Sequence, residues 1–163
     1  MTILLAALLL QDAPREKTSR FTLESGRLVL PGPILFRPGS ADLLKESEPV
    51  LWVIADFLEA KPSITRLRIE GHADDGAPPD AAQALTEGRA LAVARWLVAK
   101  GADPKRLIAA GFGSSKPLVP NDTPENKATN RRIEVRPAEL LGRAIGGLPL
   151  DGGGKVAGDP APK

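Results

Sequence analysis

Residues 64 to 111 switch between the two periodicities of folded chains, and the order of that switching restricts the fold more than any other feature. Ile64, Leu67 and Ile69 interleave with Arg66, Arg68 and Glu70, the period-two pattern of a strand with one buried face. From about Asp80 to Lys100 a helix is predicted, with Asp80 as N-cap candidate and Gly101 as its stop. Its apolar stripe is Leu85, Ala92, Val93, Trp96 and Leu97. Leu107 to Ala110 then suit a short buried strand ending at Gly111-Phe112-Gly113. A helix between two strands of one sheet demands a crossover connection.

The flanking sequence extends the pattern. Phe21, Leu23, Leu28 and Leu30 read as two short extended pieces around Ser25-Gly26. Ile34 and Phe36 suit a further strand ending near Pro38-Gly39. Val50, Leu51, Ile54, Phe57 and Leu58 form a second helical stripe, with Ser47 as N-cap candidate, Pro49 in the first turn and Lys61-Pro62 as stop. A polar loop over 114–129 leads to the alternating run Arg132 to Arg136, a last strand, and Pro137 to Ile145 suit a short helix. The order β-α-β-α-β-β predicts an α+β fold, a two-layer sandwich in which one mixed sheet is covered by two helices. The length suits one domain, over 21–140. Residues 1–20 read as a signal-like apolar segment and linker, and the Gly/Pro-rich stretch 141–163 as a disordered tail. The run Met1 to Leu10 is too short to span a bilayer. It fits a signal-peptide core whose start lies slightly late, a short anchor, or a docked element of the mature protein.

Several chemistries are excluded by composition. Without cysteine there is no disulfide, thiol nucleophile, cysteinyl zinc site or cysteine-linked lipid. A net charge of +2, no cationic block and 4% aromatic residues give a nucleic-acid surface no support. Gly111 to Ser115 match neither a nucleophile elbow nor a phosphate loop. No catalytic residues and no cofactor are implied.

The informative residues bracket the loop between the first strand and its crossover helix. Leu85, Arg89 and Val93 are spaced i, i+4, i+8, so Arg89 lies on the apolar stripe. A guanidinium there must snorkel or meet an anion. Asp74 stands where the strand gives way to the loop. Two readings follow: an internal ion pair between Asp74 and Arg89, or an acid and a base that receive a zwitterion, the guanidinium presenting a bidentate fork to its carboxylate. Glu70, His72 and Asp74 alternate, which raises a metal-dependent enzyme as an alternative. One histidine and no second motif argue instead for a structural His72 bonded to backbone. At Asn130-Arg131-Arg132 one arginine is free to reach the same pocket while its neighbour points away.

Phe36 with Gly39-Ser40-Ala41-Asp42-Leu43, then Ile69 to Asp74, Leu85-Thr86-Glu87-Gly88-Arg89-Ala90, Gly111-Phe112-Gly113 with Pro117, and Asn121 leading to Asn130 to Val135 stand in an order that resembles the OmpA-like C-terminal domain of the OmpA, Pal and MotB type. The resemblance covers roughly 27 to 137. It implies a non-catalytic peptidoglycan-binding module of the periplasm or cell envelope, associated with the outer membrane and with an outer-membrane protein as a further partner. It also implies the diaminopimelate of the peptide stem as ligand, its ammonium on Asp74 and its carboxylate on Arg89, with Arg131, Asn130 and Ala73 as further site positions. The chain departs from the family pattern at two places: Ala73 replaces the threonine before the aspartate, and the loop asparagine falls at Ala82. A scaffold domain that has lost its ligand is the alternative those departures raise.

Overall fold

The computed structural model describes residues 14–162. A hairpin of β1 (Leu23–Glu24) and β2 (Arg27–Leu28) precedes α1 (Glu48–Ala60), β3 (Ile64–His72), α2 (Pro79–Ala99) and β4 (Leu107–Gly111). Then come α3 (Pro124–Asn130), β5 (Arg132–Leu140), β6 (Arg143–Ala144) and β7 (Lys155–Val156). The main sheet has the order β6-β5-β3-β4-β7. β3 and β4 are parallel, joined by the α2 crossover, and the other pairs are antiparallel. The sheet is therefore mixed and the fold α+β, with α1 and α2 packed on one face.

That inner face is built by the alternation read above. Leu67 and Ile69 of β3, Leu107 and Ala109 of β4 and Val135 of β5 meet Leu51, Ile54 and Phe57 of α1 and Ala90, Val93 and Leu97 of α2 in one core. Two glycines set how close α2 comes. Gly71 and Gly111 are register partners on adjacent strands. A Cβ on Gly71 would lie 2.9 Å from the Thr86 carbonyl carbon and nearer still to its oxygen, and one on Gly111 would lie 2.5 Å from the Glu87 nitrogen. Only a bare backbone admits the helix at that distance, and the first half of α2 is seated there.

Several expectations are corrected. Ile34 to Phe36 do not join the sheet; Phe36 makes a single bridge to Leu43. Pro31, Pro33 and Pro38 remove the amides a ladder needs, and Ser47 holds the segment instead. Ser47 does stand at the N-cap position of α1, but its side chain makes no cap bond, and its backbone (φ −77, ψ −15) carries a 3-10 turn into the helix. Its hydroxyl donates to the Leu35 carbonyl (3.1 Å) and accepts from the Leu35 amide (2.6 Å). Pro137 to Ile145 hold no α-helix; β5 continues to Leu140, with a register shift beside Pro137, where the ladder lacks an amide. Asp80 is not the N-cap of α2, since Pro78 holds that position.

A further correction concerns 141–163, expected to be disordered. Its described part supplies both sheet edges, β6 and β7, held by backbone pairing rather than by buried apolar area. Its glycines permit close contact: a Cβ on Gly154 would lie 2.7 Å from the Phe112 ring, and one on Gly152 2.6 Å from the Arg68 guanidinium. At the other end, the linker residues after Pro14 lie against α1. The buried Asp56 carboxylate accepts from the Arg15 guanidinium and from the Thr18 amide (2.8 Å), and Lys17 meets Glu59 at 2.8 Å. Arg15 also stacks over Trp52, 3.9 Å from the ring centroid. The signal-like run 1–10 falls outside the described residues. Among those described, no helix is long and apolar enough to cross a membrane.

Candidate ligand-binding site

Where β3 ends, the chain turns Asp74 back on itself. Its carboxylate accepts from the Gly76 amide at 2.8 Å and from the Arg131 guanidinium. Burial pushes that carboxyl up, but the amide and the guanidinium outweigh it and hold it below the usual range. The ion pair foreseen between Asp74 and Arg89 is not formed; Arg131, just before β5, takes the acid instead.

Arg89 flanks the packed face of α2 rather than lying on its centre. That face runs through Ala82, Thr86, Ala90, Val93 and Leu97. The Arg89 Nε donates to the Ser40 carbonyl at 2.8 Å, and its guanidinium lies 5.0 Å from the Phe36 ring centroid. No carboxylate among the described residues lies within ion-pair distance of it. Burial and the nearby Arg131 charge both push its pKa down. Arg89 and Arg131 line a cleft of about 480 Å³ with Phe36, Gly39 and His72. An arginine held half-buried by a carbonyl and an aromatic face, with its fork unspent, has the chemistry to take a carboxylate.

The other sequence-level candidates have different surroundings. Asn130 is fully buried and has spent its hydrogen-bonding capacity on its own fold. It accepts from Leu118 (2.8 Å) and Val119 (3.2 Å) and donates to the Val119 carbonyl and Asn121 (both 2.8 Å). It fixes the loop before α3 and has nothing left for a ligand. Ala73 donates its amide to the Gly113 carbonyl at 2.8 Å. Ala82 is 1% exposed, so its position is filled by packing. The adjacent Gln83 turns to the Gly111 carbonyl and Glu87, 2.8 and 2.9 Å away. Phe36 and the Ser40 carbonyl, which hold Arg89, were not foreseen as site groups. The signal was the aromatic residue three positions before Gly39, whose φ of +66 turns the chain toward α2.

The proposed metal set does not assemble. Asp74 lies apart, and Glu70 and His72 meet Glu134 of β5 instead, with ligand atoms within 4.8 Å of one another. Guanidinium groups already hold those carboxylates. Arg68 is 2.6 Å from Glu70, Arg132 and Arg136 are 2.7 and 2.8 Å from Glu134, and Arg27 is 3.1 Å from Glu134. Across β3 and β5, like faces like: Arg68 opposite Arg136, Glu70 opposite Glu134. Such pairs repel, and the ion pairs along each strand, with Arg136 3.6 Å from Glu70 on the diagonal, reverse the sign. Burial pushes the Glu134 carboxyl up, yet Arg132 and Arg136 hold it down to about 2. His72 bonds the Glu70 carboxylate at 3.0 Å rather than backbone and stacks on Phe112, with centroids 4.9 Å apart. The acids and His72 of this charged face are thus buried too, with β2 on one side and the C-terminal segment on the other.

Comparison with known proteins matches this architecture. The model of the OmpA family fits residues 35–131, more than half of the chain. The peptidoglycan-binding protein ArfA of Mycobacterium tuberculosis is 36% identical over 104 residues, 64% of this chain and 32% of that protein. The chain thus matches about a third of that relative's length. A MotB-like protein of Desulfovibrio vulgaris superposes with a TM-score of 0.61 at 30% identity, over 71% of this chain and 75% of that one. The cell wall anchor of the type VI secretion system of Pseudomonas aeruginosa gives 0.55 at 32%, over 62% and 72%. From the Phe36 bridge through the α2 crossover to Arg131 at the cleft, the chain belongs to the OmpA family.

Proposed function

We propose that this domain is a non-catalytic peptidoglycan-binding module that holds the cell envelope to the wall, and that its cleft receives the carboxylate and ammonium of diaminopimelate in the peptide stem. The observation that carries the reading is Arg89: desolvated, oriented by Ser40 and Phe36, and without a carboxylate among the described residues. A ligand carboxylate would complete it. The ammonium beside that carboxylate would take Asp74, displacing Arg131, which is half-exposed and free to swing onto the same ligand carboxylate. The exchange leaves every charge paired. That ArfA is a peptidoglycan-binding protein and the secretion-system relative a cell wall anchor supports the polymer. The cell envelope, at the periplasmic side of an outer membrane, is the location that goes with it, and an outer-membrane protein would be the further partner.

The test is retention on purified sacculi. Asp74→Ala and Arg89→Ala should each weaken binding about 10- to 100-fold, the worth of one charge-assisted hydrogen bond of roughly 1.5–3 kcal/mol. Melting temperatures should stay close to wild type. Lysine-type sacculi, lacking the second carboxylate, should bind as weakly as the variants do to diaminopimelate-type sacculi. Undiminished retention of both variants would refute the assignment and favour the ligand-free scaffold, in which the Asp74–Arg131 pair is structural only.

A further inference from the structure

The face of the sheet away from α1 and α2 carries a second cleft, of about 630 Å³, between β5 and the C-terminal segment. Four cationic side chains line it, Arg68, Lys116, Arg132 and Arg136, against two carboxylates, Glu70 and Glu134. Both acids are bound by arginines, so the surplus is positive. Arg132 and Arg136 have spent their nitrogens on Glu134 and on carbonyls. Arg68 has not: Nε donates to Glu70 and Nη1 to the Leu150 carbonyl (2.9 Å), leaving Nη2 without a partner among the described residues. Lys116 makes one long hydrogen bond, 3.2 Å to the Gly152 carbonyl, and lies 4.6 Å from the Phe112 ring centroid, which leaves donors to spare. Gly152 lies against the Arg68 guanidinium as well, so the two unspent cations converge beneath it. Beside them the rim is apolar and open: Leu118, Ile145 and Leu148 are 47%, 42% and 67% exposed.

We infer that this outer cleft binds the phosphate headgroup of an anionic lipid, with Arg68 and Lys116 on the phosphate and Leu118, Ile145 and Leu148 against the lipid's apolar part. Charge complementarity selects an oxyanion, because the unspent polar groups on the two cations are donors. An acidic peptide would bring amides that need acceptors, and both carboxylates are already occupied. It would also leave the leucines uncovered, whereas a lipid covers them. His72 lines the cleft too, and its buried Nδ1 has no partner among the described residues.

The experiment is cosedimentation of the full chain with phosphatidylcholine vesicles, with and without phosphatidylglycerol. Wild type should bind the anionic vesicles selectively. Lys116→Glu and Leu148→Ser alter exposed side chains, keep the N-terminal apolar run unchanged, and should each lower that binding about tenfold. Both should bind sacculi as wild type does, which separates this cleft from the Arg89 site. Equal binding to neutral and anionic vesicles, or unchanged binding by both variants, overturns the inference. So does Lys116-dependent binding of glycerol phosphate in solution without vesicle binding, which makes the cleft a site for a free phosphate. Capture of an acidic peptide in place of vesicles overturns it as well.

Discussion

Replacing Glu134 with glutamine tests the charge network that joins β3 to β5. The carboxyl sits at about 2 instead of its ordinary 4.5 because Arg132 and Arg136 hold it ionised against the cost of burial. At about 1.4 kcal/mol for each pH unit, that difference is worth ~3 kcal/mol of native stability. The glutamine keeps one acceptor and nearly the same volume, so little else changes, but it leaves Arg27, Arg132 and Arg136 facing each other with one fewer counter-charge. The sign follows from linkage. A carboxyl depressed in the folded state stabilises fully above its unfolded value and loses that contribution as pH falls through its folded value. Wild type and Glu134→Gln should therefore differ by ~3 kcal/mol at pH 7, and the gap should close between pH 4.5 and about 2. Urea titrations at several pH values read this directly, and at neutral pH the melting temperature should drop by about 6–12 °C. A gap below about 1 kcal/mol at neutral pH, or one that does not close on acidification, would show that the arginines are not what holds this carboxyl down.

Two further substitutions probe the elements that hold the cleft. Gly71→Ala drives a methyl group into the Thr86 backbone and should cost more than ~3 kcal/mol; a soluble variant that melts like wild type would refute the close approach of α2. Asn130→Ala strands the amides of Leu118 and Val119 and should cost ~2–4 kcal/mol, with lost protection of those amides in hydrogen exchange. An intact melt with lost sacculus binding would instead return Asn130 to the ligand.

The elements most legible in the sequence were those whose pattern one face decides. The β3 alternation and the α1 stripe follow from burying a single side, and the crossover followed from their order. Legibility failed where a second face was also covered. Arg68, Glu70 and His72 look like a solvated edge by their charges, and only their pairing with β5 and the overlying terminal segment makes that face interior. Gly152 and Gly154 read as disorder by composition, because nothing local says that a guanidinium and an aromatic ring will occupy the space a side chain would need. For the candidate cleft, Asp74 and Arg89 are singled out by a strand end and a helical spacing. Which groups they bond is not legible, since Arg131 and Ser40 lie 57 and 49 positions away, respectively, and which partner wins is decided by the packed fold. Asn130 misleads for the same reason: a polar residue beside a candidate site arginine looks like a ligand contact until its four bonds are counted.

The clamp of Arg15 and Thr18 onto Asp56 changes the mechanics of anything joined to the start of this domain. Residues 15–20 would, as free chain, give a tether up to about 20 Å of play. Bound along α1, they give almost none, and a pull from the N-terminal side enters the domain at the middle of α1 rather than at the hairpin. The ion pair then acts as a first link that parts before the core bears load. Its release lengthens the reach by those six residues without unfolding a strand.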